Sequence, residues 1–253
     1  MLDHARCEAE FGAETDRLAQ LVAAVDPGLP IPTCPDWTVR ELVAHVGSGH
    51  RWSAGLIESR ATTASPPTPV PAPAEPAEWS DWLRAGAHQL VSAVRTAGPE
   101  TSVWTWQADK TARFWLRRML HDEVIHRFDV VMATGGSLGD LDPVVAADGV
   151  EDWLDTVKTL SGPMSFRSGM RALAGNGETL HFHATDPGLH GEWLVHRGPD
   201  GVTWERGHEK ADVAVRGQVL PMLLVLNRRL APDGLEILGD AAVFEDWLLH
   251  SQF

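Results

Sequence analysis

Near residue 160 the spacing of apolar residues changes, and this change limits the fold more than any other feature of the chain. Before it, apolar positions recur every three or four residues, as in helices that bury one face. After it, short alternating segments are cut by Gly, Pro and Asp, as in antiparallel strands and hairpins. A length of 253 residues is comfortable for two domains. The switch therefore predicts an all-helical bundle over 1–160, followed by a smaller α+β domain over 161–253.

Punctuation within each region supplies the elements. Phe11, Leu18, Leu21, Val22 and Val25 predict a helix over 6–25 that stops at Pro27-Gly28. The stretch "PDWTVRELVAHVGSGHRW" predicts a second helix with a capping box, Thr38 at the N-cap and Glu41 reaching back three residues later. "SPPTPVPAPAEP" carries six prolines in twelve positions, which predicts a stiff, extended surface connection. A third helix is expected over Trp79–Thr96 and a fourth over Thr111–Thr134, closed by Gly135-Gly136. "DPVVAADGVEDWLDTVKTL" reads as a fifth, counted with the bundle. In the second region "TLHFHATD", "EWLVHRG", "GVTWERG" and "ADVAVRG" read as strands. "QVLPMLLVLNRRL" reads as a helix, "LEILGD" as a last strand and "AAVFEDWLLH" as a closing helix.

Composition excludes some partners. A formal charge of −14 with scattered Lys and Arg argues against nucleic acid and against anionic membrane surfaces. The charged N-terminus lacks an apolar leader core, and no window of about 18 apolar residues suggests a membrane span, so a cytoplasmic protein is expected. Two cysteines are too few for a disulfide scaffold. Eleven tryptophans, with no tyrosine, predict a core filled largely by indoles, a few of them lining a pocket.

Chemistry concentrates in "HDEVIHRFD", residues 121–129. On a 3.6-residue period Trp115, Met119, Asp122, His126 and Val130 share one face of the fourth helix, which turns Asp122 and His126 toward the bundle. Glu123 lies on a neighbouring row with Leu116, Leu120 and Arg127. An Asp and a His at i and i+4 can reach one ion. The second helix aligns Leu42, His45, Gly49 and Trp52, making His45 a possible third ligand. Any of the three could instead be a satisfied core or surface residue; together they suit Zn²⁺ or another divalent first-row ion with positions left open. His181 and His183 share one strand face and could chelate, although an exposed sheet face accounts for them more simply.

"PTCPDWTVRELVAHVGSGHRW", "VWTW", "FWLRRMLHDEVIHRFDVVMATG" and "DGVEDWL" together resemble the mycothiol-dependent maleylpyruvate isomerase family, within the DinB-like four-helix-bundle superfamily. The resemblance extends more weakly through "ATDPGLHGEWLV", "ADVAVRG" and "LLVLNRRLAPDGLEILGD". It implies a DinB-like bundle with a divalent metal, Zn²⁺ by preference, held by His45, Asp122 and His126. The family's glutamate is replaced here by Asp122, one methylene shorter, and Glu123 is the alternative carboxylate. It also implies that an arginine in "NRRLAP" binds cofactor and orients substrate: Arg229, or alternatively Arg228. A surface ion pair would explain either arginine as well.

The function implied is thiol chemistry. A thiol with a pKa near about 8.5 is mostly protonated at neutral pH, and a bound cation would favour its thiolate. Neither cysteine of the chain lies in the metal motif, so an exogenous low-molecular-weight thiol, mycothiol by resemblance, would bring the sulfur. Addition to an activated C=C bond, rotation and elimination would give isomerisation; retention of sulfur would give S-transfer. An arginine such as Arg229 would hold a carboxylate of the small-molecule electrophile. The reading from a different class is a non-catalytic or regulatory binding protein with a structural metal or none.

Overall fold

A computed structural model describes residues 2–163, 165, 167 and 169–252. They form two compact units, one from Leu2 to Asp140 and one from Leu141 onward.

The first unit is a four-helix bundle of α1 (His4–Val22), α2 (Val39–Glu58), α3 (Trp79–Ala97) and α4 (Ala112–Ala133). Helices α1 and α2 each pack against both α3 and α4. Asp3 caps α1 by accepting the Arg6 amide at 2.8 Å. At the start of α2 the Glu41 carboxylate accepts the Thr38 amide at 2.9 Å, the reach back to the N-cap that the capping box predicts, and it also accepts the Thr38 hydroxyl. Those hydrogen bonds hold the Glu41 carboxyl below its ordinary value of 4.5. A depressed folded-state value means the stabilisation is complete above 4.5 and fades as pH falls through the folded value. Glu41→Ala is therefore expected to cost a few tenths to about 1 kcal/mol at neutral pH, since Glu41 is exposed and the Thr38 N-cap remains. Urea unfolding of wild type and variant should converge in acid; a gap that widened there would rule the cap out as its cause.

The proline-rich connection forms no helix or strand before Pro76 and is fastened to α2 along its length. The Ser48 hydroxyl donates to the Val70 carbonyl at 2.8 Å and accepts the Val70 amide at 2.9 Å; Trp52 donates to the Ser65 carbonyl at 3.1 Å. At its end the fully buried Trp79 donates its indole N–H to the Pro73 carbonyl at 2.9 Å. Gly47 is required where α2 meets α3, because a Cβ there would lie inside the Trp82 ring.

Helix α4 is enclosed on nearly every side. From His121 to Val130 every residue except Asp122 is buried. The "HDEVIHRFD" stretch is thus neither a solvated face nor a simple amphipathic stripe. His121 itself is 3% exposed.

The second unit contains α5 (Pro143–Leu160), β1 (Glu178–Ala184), β2 (Glu192–Gly198), β3 (Gly201–Arg206), β4 (Val213–Gly217), α6 (Val219–Leu226), β5 (Glu236–Gly239) and α7 (Ala241–His250). The sheet runs β3-β2-β1-β4-β5; β1 and β4 are parallel and the other pairs antiparallel. Phe182 faces Phe244 and Trp247 of α7, with ring centroids 6.2 and 6.0 Å away. The boundary corrects the division expected at 160/161. Helix α5 belongs with the sheet, and its acidic residues say why: Glu151 accepts Trp193 at 3.0 Å and Arg206 at 2.6 Å, and Asp155 accepts Trp204 at 3.0 Å. Helical periodicity reads the same on either side of a domain boundary, so the sequence pattern alone assigned α5 to the bundle. Trp79, Trp115, Trp193 and Trp247 are fully buried, as an indole-rich core requires. No helix among the described residues is long and apolar enough to cross a membrane.

Candidate metal centre

Three of the four-helix bundle's polar side chains converge at one point. Asp122 and His126 stand one turn apart on α4, and His45 reaches them from α2. His45 Nε2 lies 3.4 Å from Asp122 Oδ2, and His126 Nε2 lies 3.8 Å from the same oxygen. Each residue offers one donor atom, and all three atoms lie within 4.8 Å of one another. The imidazole rings of His45 and His126 meet edge-on at 4.9 Å.

The surroundings fix the state of each donor. His126 Nδ1 is 2.9 Å from Asp129 Oδ2, and a carboxylate only accepts, so Nδ1 carries a proton and Nε2 is the nitrogen turned toward Asp122 and His45. Asp129 is itself fully buried. It accepts the Thr33 hydroxyl at 2.6 Å and the Cys34 thiol at 3.4 Å from the loop before α2. The Arg118 guanidinium donates to Asp122 Oδ1 at 3.1 Å, which leaves Oδ2 turned toward the histidines. Trp37 packs against both rings, 4.8 Å from His45 and 5.7 Å from His126.

Electrostatics follow this geometry. Burial would raise the Asp122 carboxyl, but the hydrogen bond from His45 and the charges of His126, His45 and Arg118 outweigh it and hold it well below the usual carboxylate range. Burial would likewise lower His45; the Asp122 hydrogen bond and charge raise it instead, against the opposing charge of Arg118.

The donor set fits a divalent first-row ion. Two imidazole nitrogens and one carboxylate oxygen make three protein ligands, a number that leaves coordination positions open. His126 has the carboxylate behind its second nitrogen that ligating histidines generally require. Its side chain retains 9% of its surface and that of Asp122 25%, whereas that of His45 retains 45%. The row predicted as inward on α2 is therefore buried only in part: Leu42 is fully enclosed, Gly49 and Trp52 are half-buried, and His45 is exposed. Glu123, the alternative carboxylate, points elsewhere: its Oε2 accepts the Thr15 hydroxyl at 2.8 Å and lies 3.6 Å from His50 Nε2. Cys34, His126 and Asp129 also group together, but His126 reaches them through the nitrogen whose proton Asp129 holds.

Sequence reasoning missed Asp129, Thr33, Cys34 and Trp37. Asp129 carried a readable signal, three residues after His126 on the same helix. In the second unit Arg228 and Arg229 follow α6. Arg228 is exposed with φ 64°, and the half-buried Arg229 donates to the Asn227 carbonyl at 2.9 Å.

Comparison with known proteins agrees with this architecture. The crystal structure of the mycothiol-dependent maleylpyruvate isomerase superposes with a TM-score of 0.54 at 17% identity, covering 93% of each chain. A histidine-to-alanine mutant of that enzyme gives 0.53 at the same identity and coverage. At such identity these likenesses establish the shared fold. No curated protein matches the sequence significantly. Family models match most of the chain: the mycothiol maleylpyruvate isomerase N-terminal domain over residues 11–131, and the corresponding C-terminal domain over 144–246. The chain belongs to the mycothiol maleylpyruvate isomerase family.

Proposed function

We propose that this protein is a mycothiol-dependent isomerase of a small activated electrophile, with a divalent metal, Zn²⁺ by preference, held by His45, Asp122 and His126. The observation that carries the reading is the convergence of those three donors, with Asp129 behind His126. A cation bound there would stabilise the thiolate form of an incoming thiol over the thiol, supplying at neutral pH the nucleophile that neither cysteine of the chain offers.

The chain's own residues do the positioning. Asp129 holds His126 in one tautomer and one orientation, and Thr33 and Cys34 hold Asp129. Arg118 fixes the Asp122 carboxylate by one oxygen and leaves the other for the site. Trp37 walls one side of both imidazoles with apolar surface. The exposed side of His45 leaves the three donors within reach of a thiol from solution. Arg229, with Arg228 as the alternative, is assigned the carboxylate of the electrophile by family resemblance, since its planar fork suits bidentate binding.

The test is turnover of a panel of activated unsaturated dicarboxylates with and without mycothiol. Isomerisation is expected only with the thiol present, and is expected to disappear after chelation and return with Zn²⁺. A product that keeps the sulfur would reassign the protein to S-transfer. Thiol-independent turnover, or none under any combination, would refute the proposal and favour a binding role.

A further inference from the structure

The face of the sheet turned away from α7 carries a second convergence of donors, within the second unit alone. His181 and His183 stand two residues apart on β1, and Glu192 on β2 pairs directly opposite His183. Just past β3 the Gly207 amide donates to the Glu192 carbonyl at 3.2 Å, which brings His208 alongside. Three imidazoles then meet one carboxylate oxygen. His181 Nε2 is 3.1 Å from Glu192 Oε2, His183 Nδ1 is 3.9 Å from it, and His208 Nδ1 contacts it. The rings sit 5.2 to 6.0 Å apart. His181 is only 5% exposed, which corrects the expected exposed face at that position, while His183 is half-buried.

One carboxylate oxygen cannot give three rings a full hydrogen bond each, and protonating all three would set like charges side by side. A cation among them would use every lone pair at once. One donor atom from each residue lies within 4.8 Å of the others. Zn–N bonds of about 2.0–2.1 Å place tetrahedral donors roughly 3.3 Å apart, within reach of side-chain rotation. Three nitrogens and one oxygen suit Zn²⁺ or a neighbouring first-row ion and not Mg²⁺ or Ca²⁺, which take oxygen sets.

We propose that His181, His183, Glu192 and His208 form a second metal site, a closed four-ligand Zn²⁺ site that ties β1, β2 and the chain after β3 together. Four protein ligands leave no position for substrate, so its role is structural. The proposal is independent of the assignment made for the bundle.

The experiment uses the full chain carrying His126→Ala, stripped with chelator and titrated with ZnCl₂. One equivalent is expected to bind and to raise the thermal midpoint. Adding His208→Ala, a substitution at a side chain 72% exposed, should weaken Zn²⁺ binding at least tenfold and remove that rise, with the far-UV circular dichroism unchanged. Glu192→Gln should act in the same direction. Co²⁺ in place of Zn²⁺ should give the intense visible absorption of a tetrahedral site. Zn²⁺ binding equally with and without the His208 side chain, no binding in either chain, or a weak octahedral Co²⁺ spectrum would overturn the proposal.

Discussion

His126→Ala is expected to remove one equivalent of divalent metal per chain and with it the thiol-dependent turnover. The substitution leaves Asp122 and His45 as a two-donor remnant, of which His45 is the more exposed member. Two ligands on flexible rotamers bind a first-row ion far more weakly than three held in place. The variant also strands Asp129, a buried carboxylate that loses its imidazole partner, so some stability should be lost as well. Asp129→Asn separates the two effects. It keeps the shape and an acceptor for Thr33 but changes what His126 Nδ1 meets, and loss of such an outer partner typically costs 10–100-fold in metal affinity. Elemental analysis gives the stoichiometry and competition with a chromophoric chelator gives the affinity. If metal content were the same in wild type and in His126→Ala, the three-ligand assignment would be wrong.

Trp79→Ala is expected to cost about 3–5 kcal/mol, the upper range for truncating a large buried side chain. The indole sits wholly inside a cluster with Leu18, Val22, Val39, Leu42 and Leu83, and the Arg40 guanidinium lies 5.1 Å from its ring. Truncation would open a cavity where three helices meet and would also leave the Pro73 carbonyl without its indole donor. Trp79→Phe, which keeps most of the apolar contact but not the N–H, should recover more than half of the loss. Equilibrium urea unfolding measures both. A cost below about 1 kcal/mol for the alanine variant would mean that the cluster relaxes into the space.

The helices were legible because each carries its own punctuation: the Thr38–Glu41 box, the Gly135-Gly136 stop, the prolines before Trp79. Asp122 and His126 were legible as a pair because i and i+4 share a face on any helix. Depth was not. A 3.6-residue period states which residues are neighbours on a helix and not how far the next helix covers them, so His45 reads as inward and yet is exposed. Nor was the support behind His126 legible in full. Thr33 and Cys34 reach Asp129 across 96 and 95 positions of sequence, and no local pattern encodes a hydrogen bond of that span. Helix α5 fails the same way: its partners Trp193, Trp204 and Arg206 lie in strands that come later in the chain.

The parallel pairing of β1 with β4 has a consequence for biosynthesis. Strands β1, β2 and β3 pair with their neighbours in sequence and can zip together locally as they emerge, but the other side of β1 waits for Val213–Gly217. Until that strand arrives, β1 presents a raw edge bearing Leu180 and Phe182, the kind of edge that recruits other chains. A nascent or truncated polypeptide ending before residue 213 would therefore be prone to aggregation, and the pairing of β4 with β1 is what closes that edge.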